Sequence, residues 1–364
     1  MMRAIIVEYL PKARGHSTNE KRMFLCYKNL LCPAIILLYS LIIGCAATDN
    51  PNNNDPSNSE QSEPPFVDIT HTPDEGKIDI YMGGQYFSSY LYDHPLLNKA
   101  VLFPVISASG ITVTRGYPLD TREGESTDHT HQHGVWFNHG DVNGIDFWNA
   151  GRTPPKPDVR YGRIEHEAIL EMHSGDAGQI RVAKNWLDDT GKILLQEQTL
   201  YHFSGNTDAR IITHTTTLTA LDEDVHFNDS KEALFAIRVA AELEIRDNQA
   251  TYRNSEGIEG YPDVWGKRAS WMQLKGNIQN TPVSLLMFDS PSNINYPAHW
   301  MARDYGLFAV DNLGSAAFGD KALNYVLHKN TSQTFKHQLI ISDGNEISAA
   351  QINRMYEDFI SSPH

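Results

Sequence analysis

Four of the sixteen histidines in the chain fall within eleven residues: His129, His131, His133 and His139. They lie in the run Asp128-His129-Thr130-His131-Gln132-His133-Gly134-Val135-Trp136-Phe137-Asn138-His139-Gly140-Asp141-Val142-Asn143-Gly144-Ile145-Asp146-Phe147-Trp148. Chance is a poor explanation for that density. In an extended chain His129, His131 and His133 share one face, about 6.6 Å apart per step. Imidazoles so placed serve as acid–base or hydrogen-bonding groups on a substrate, or share one divalent metal. A metal on His129 and His131 needs a third ligand, and His139 or Glu232 is of the right type. A lone His-x-His is a weak metal signature, and a single histidine more often caps a turn. The cluster favours a functional role.

Trp136, Phe137, Phe147 and Trp148 alternate here with Asn138, Asp141, Asn143 and Asp146. Aromatic residues are more often core than platform. This mixture nevertheless suits a sugar, whose C–H faces stack on rings while amides and carboxylates take its hydroxyls. Later segments complete the candidate set. Lys231 and Glu232 lead into a strand that carries Arg238, although a Lys-Glu pair is usually a solvated ion pair. Trp265-Gly266-Lys267-Arg268 and Arg303-Asp304-Tyr305 again join rings to cations. Arginine beside rings suits carboxylate binding or stacking.

Strands must position these residues. Ile78, Ile80 and Met82 alternate with polar residues, as do Ile164–Met172 and Ile180–Val182. Residues 193–203, 210–218, 233–245, 283–288 and 307–310 are further strand candidates, rich in β-branched and aromatic types. Gly83-Gly84, Asn143-Gly144, Asp188–Gly191, Ser204–Asn206 and Asp343-Gly344 supply turns. No strand alternates with a helix of crossover length, which argues against a parallel sheet. Ile352, Met355, Tyr356, Phe359 and Ile360 have helical spacing, and Ser348 with Gln351 reads as a capping box. The expected fold is all-β: one large antiparallel sandwich over residues 66–364, closed by a C-terminal helix.

The 364 residues carry 30 Lys+Arg against 45 Asp+Glu, a net charge of −15. That disfavours nucleic acid as a partner. Residues 35–44 are apolar and end at Cys45, after the basic Lys21, Arg22 and Lys28. The run is short for a membrane span, which needs about 20 residues. A basic region, a short apolar region and a small residue before the cut describe an export signal over 1–44. An uncleaved anchor is the alternative, and Met23 is an alternative start. Leu41-Ile42-Ile43-Gly44-Cys45 resembles the bacterial lipobox, in which the cysteine is lipidated. Ala46 after it, by resemblance to Gram-negative lipoproteins, implies the outer membrane. Cys26, Cys32 and Cys45 are the three cysteines of the chain, so the body has no thiol chemistry. Residues 46–65, rich in Asn, Asp, Ser and Pro, read with Cys45 as a flexible tether.

Thr114-Arg115-Gly116-Tyr117-Pro118, Asp128–Trp148, Lys231–Arg238, Trp265–Ala269 and Arg303–Phe308 together resemble a family of secreted bacterial proteins that carries the label "methane oxygenase PmoA". The chain differs from that pattern at Gln132 and His133, where His-Arg is usual, and at Met301, where His is usual. The label is not taken as a function, because a membrane methane monooxygenase subunit needs several membrane-spanning helices. The resemblance implies a galactose-mutarotase-like supersandwich and a saccharide or related small molecule as partner. It implies His129, His131 and Glu232 as acid–base groups. Arg115, Trp136, His139, Asp141, Asn143, Trp148, Lys231, Arg238, Lys267, Arg268, Arg303 and Tyr305 are then the substrate-binding set. Epimerase, lyase and hydrolase chemistry all stay open. A non-catalytic glycan-binding lipoprotein is the first alternative; an oxygenase or lyase with one divalent metal is the second.

Overall fold

The computed structural model describes residues 66–362. The expected signal, Cys45 and the tether lie outside the described residues.

Period-two burial builds the strands: Ile78, Ile80 and Met82 are buried while Lys77, Asp79 and Tyr81 are half-exposed. In chain order the strands are β1 (Val67–Thr72), β2 (Lys77–Met82), β3 (Gln85–Leu91), β4 (Val101–Val105), β5 (Val135–His139), β6 (Arg163–His173), β7 (Gly178–Leu187), β8 (Ile193–Gly205) and β9 (Ala209–Ala220). They continue as β10 (Val225–Phe227), β11 (Ala233–Arg238), β12 (Thr251–Asn254), β13 (Trp271–Ile278), β14 (Thr281–Asp289), β15 (His299–Ala302), β16 (Leu307–Asp311), β17 (Tyr325–Leu327) and β18 (Ser332–Asp343). One α-helix follows, α1 (Ala349–Ser361).

One eight-stranded sheet has the order β1-β2-β3-β4-β5-β11-β16-β15, and a second the order β12-β13-β14-β18-β9-β8-β7-β6. Neighbouring strands are antiparallel, as in β5·β11, β11·β16 and β15·β16 of the first sheet and β14·β18 and β18·β9 of the second. The all-β sandwich expected from the alternation is therefore the fold. The main core lies between the sheets, where Ile80, Phe137, Phe235 and Val310 of the first meet Val182, Phe203, Ile212 and Leu339 of the second. An ion pair is buried within it: Lys184 Nζ lies 2.5 Å from Glu197, which also accepts from Trp186 Nε1 at 2.7 Å.

Both sheets are covered on their other faces too. Helix α1, with the Ser348/Gln351 capping box, buries Ile352, Tyr356 and Phe359 against Trp271, Leu286, Phe288 and Ile340 of the second sheet. On the first sheet, Phe103, Trp136, Trp148, Ala236, Met301 and Ala309 form a separate apolar cluster beneath loops. One expected strand is shorter than its sequence suggests. Residues 233–245 pair only as far as Arg238; Ala240 then bonds Val113, and Ala241–Leu243 turns as a 3-10 helix. Among the described residues no helix is long and apolar enough to cross a membrane.

Candidate functional site

The pleat puts Ala236, Ala309 and Met301 on the loop-covered face of the first sheet, where Ala236 pairs with Trp136 and Ala309 with Met301. Tyr305 and Phe318 pack onto this cluster from above. Tyr305 follows β15 and Glu232 precedes β11; both strands pair antiparallel with β16 between them, so the two residues enter from opposite ends of the sheet.

Residues 129–133 are not extended. The Gln132 N–H donates to the His129 carbonyl at 3.0 Å, closing a turn, and His129 adopts φ 43°. A non-glycine residue at positive φ is strained and persists only where its surroundings hold it. Here two buried arginines do so. Arg115 donates from Nη1 to the Asp128 carbonyl and carboxylate, both at 2.9 Å. Its Nη2 donates to the carbonyls of His129 at 3.0 Å and Gln132 at 3.1 Å. Arg238 donates to Gln132 Oε1 at 2.7 Å and Asp128 Oδ1 at 2.9 Å. Both therefore position the loop rather than face a ligand.

Within that loop the His129 Nδ1 lies 3.0 Å from Asp128 Oδ2, which leaves Nε2 for another partner. Burial pushes the Asp128 carboxyl up, but the hydrogen bond from His129 and the charge of Arg238 outweigh it and hold it well below the usual range. The His129 ring stacks on Tyr305, centroids 4.8 Å apart and planes 5° apart. Burial raises the Tyr305 phenol; Arg303 pulls the other way, and nearby Glu232 adds to the rise. A protonated phenol, a histidine oriented by a carboxylate and a glutamate thus share one neighbourhood.

His131 is the second imidazole, 5.7 Å from His129 ring to ring. It is 2% exposed, and burial with the charges of Lys99 and His129 lowers it to about 2. It is a neutral ring, suited to hydrogen bonding. Glu232 is ion-paired with Lys231. Beside it, Asp311 is fully buried: Oδ1 accepts from Leu313 N at 2.9 Å and Gly314 N at 2.7 Å, while Oδ2 has no partner. Burial pushes Asp311 up to about 8, with Asp229 and Glu232 adding to the rise against those two bonds. The close fit depends on Gly314, where a Cβ would lie 2.3 Å from Asp311 Oδ2.

Several expected site residues lie elsewhere or face inward. Trp136 and Trp148 are buried against each other at 5.4 Å and cannot stack on a ligand. His139 packs on Phe227 and bonds the Asn228 carbonyl at 2.8 Å. Asp141 and Asn143 shape a turn: Asp141 accepts from Gly144 N and Asn228 Nδ2, and Asn143 Oδ1 accepts from His226 N. Arg268 ties Asn295 and Pro297 to Asp320. Lys267 is exposed. Among the described residues no three His, Cys, Asp or Glu converge to hold a metal ion. The site also contains groups that the sequence did not flag. Asp311 is one. Lys99 is another, buried with Nζ donating to the His131 carbonyl at 2.9 Å and pushed down to about 7 by burial. Nothing in the residues around Lys99 signals that burial.

Fold and site together define a large antiparallel β-sandwich with a polar, aromatic-flanked site on the loop-covered face of one sheet. The chain belongs to the family of unknown function DUF6807, whose model matches residues 77–357. No curated protein matches it. Among solved structures it is similar to a galactose mutarotase-like protein from Clostridium acetobutylicum, at 9% identity and TM-score 0.39, covering 77% of this chain and 99% of that one. It is also similar to the galactosidase domain of the alpha-galactosidase-sucrose kinase AgaSK, at 9% identity and TM-score 0.38, covering 76% of this chain and 41% of that one. A third is the alpha-galactosidase from Lactobacillus brevis, at 9% identity and TM-score 0.33, covering 80% and 41%. The chain spans about two-fifths of each galactosidase chain. Likenesses of this size carry no argument about activity.

Proposed function

We propose that the chain is an enzyme acting on carbohydrate through acid–base chemistry at His129 and Glu232. One observation carries this: His129, fixed through Nδ1 on Asp128, stacks on Tyr305, whose phenol lies in the field of Glu232. A carboxylate-oriented imidazole presents Nε2 as a base, and the carboxylate of Glu232 is a second base. The protonated Tyr305 donates a hydrogen bond or a proton to a hydroxyl or leaving oxygen. His131 serves as a neutral hydrogen-bonding group. The ring of Trp265 takes the place first given to Trp136 and Trp148 as a surface for a sugar face, since the Tyr305 ring is already covered by His129 and Arg238. Epimerisation, elimination and hydrolysis each use such a set. The proposal includes export and lipidation at Cys45, which rest on Leu41–Cys45 and the basic residues before them.

The test is product analysis by NMR of a saccharide panel incubated with the purified protein and with His129→Ala and Glu232→Gln. Each substitution should lower turnover about 100-fold or more while the melting temperature holds. Tight glycan binding with no product from the unmodified protein would instead establish a binding protein, and unchanged turnover in both variants would exclude these residues.

A further inference from the structure

The guanidinium of Arg303 differs from the other arginines around the site. Arg115, Arg238 and Arg268 are engaged by carboxylates and carbonyls. Arg303 lies 5.6 Å from the ring centroid of Trp265 and 5.6 Å from that of Tyr305. Its side chain makes no hydrogen bond or ion pair among the described residues; its Nε is buried without a partner, as in Arg115 and Arg238, but here Nη1 and Nη2 are without one too. It is half-buried, so water only partly replaces those bonds. In a chain of net charge −15, a ring-flanked cation with no carboxylate partner among the described residues is suited to an anion.

We infer that the ligand of this site carries a carboxylate, held by Arg303, so that the substrate class is a sugar acid. This rests on the carbohydrate reading above and narrows it. Guanidinium matches carboxylate as a planar fork, and flanking rings fix its plane in advance. Tyr305 joins the two halves of the site, since its ring contacts both Arg303 and His129. A carboxylate at Arg303 therefore places the sugar ring beside His129. Pairing the carboxylate with a cation also acidifies the adjacent carbon-bound proton, which suits the bases already there.

The experiment is calorimetric titration of the purified protein with oligogalacturonides and oligoglucuronides, their methyl esters, and the matching neutral oligosaccharides. An acid should bind at least about tenfold more tightly than its ester. Arg303→Gln should remove that preference, and Arg303→Lys should restore it only in part. The acid–ester comparison needs no variant, so a folding defect in Arg303→Gln, checked by thermal melting, leaves the test intact. Equal binding of acid and ester, or binding of neutral sugars alone, would overturn the inference and leave the carbohydrate reading standing. Binding of none of these saccharides would overturn both.

Discussion

His129 and His131 sit two residues apart and differ in what their surroundings allow. His129 is oriented by Asp128 and partly exposed, while His131 is enclosed beside Lys99. The His131 imidazole should stay neutral from pH 4 to 8, seen as flat ring resonances in an NMR titration; a titration midpoint near 6 would contradict its enclosure. Asp311 gives a prediction of opposite sign. Its folded carboxyl is raised to about 8 from 3.8, so the folded state keeps a proton that the unfolded chain releases. Stability from this group is present below about pH 4 and is lost as pH rises toward 8. Asp311→Asn should flatten that decline in a series of melts, with the two proteins diverging most near pH 8. The types of His129, His131 and Glu232 were legible from sequence. Their protonation was not, because it depends on groups brought from afar. Asp311 looks like an ordinary polar end of a strand until Gly314 closes over its oxygen.

At the scale of elements, the loop at 126–132 hangs on Arg238 at the end of β11 and on Arg115, whose N–H donates to the Arg238 carbonyl. Arg115→Met removes one donor from the Asp128 carboxylate and the Arg115 donor from the carbonyls of Ser126, Asp128, His129 and Gln132. Losing hydrogen bonds from a charged donor costs about 1.5–3 kcal/mol. Chemical denaturation should show a loss of that order, with proteolytic nicking near residues 120–132 before global unfolding; a variant as stable as the parent would mean the loop is held otherwise. Sequence alone read Arg115 and Arg238 as ligand-binding, since an arginine looks the same in sequence whether it faces a ligand or its own loop. Local signals worked where the cause was local. The capping box and apolar stripe of α1 named its start and its buried face, and the alternation of β6 to β9 named those strands. The end of β11 was missed because it is set by Val113 and Gly306, residues far along the chain.

The whole molecule buries many histidines in neutral form. Burial lowers His139 and His166 to about 4 and His337 to about 3, and holds His214 well below its ordinary value. The unfolded chain takes up these protons below about pH 6.5 and the folded chain does so only at lower pH, so stability should fall as pH drops from 6.5 toward 4. Melts across that range test this, and a flat profile would contradict it. Export is tested separately: Cys45→Ser should release the protein from the membrane fraction and remove its lipid in mass spectrometry, and unchanged membrane retention would count against lipidation. The place where sugar binds ties the residue, the loop and the sheet together. It is tested most directly by a crystal structure of Glu232→Gln grown with a saccharide that the unmodified protein converts. A sugar ring is expected against Trp265, within hydrogen-bonding reach of His129, the Tyr305 hydroxyl and residue 232. A sugar bound elsewhere, with that face of the first sheet empty, would contradict it.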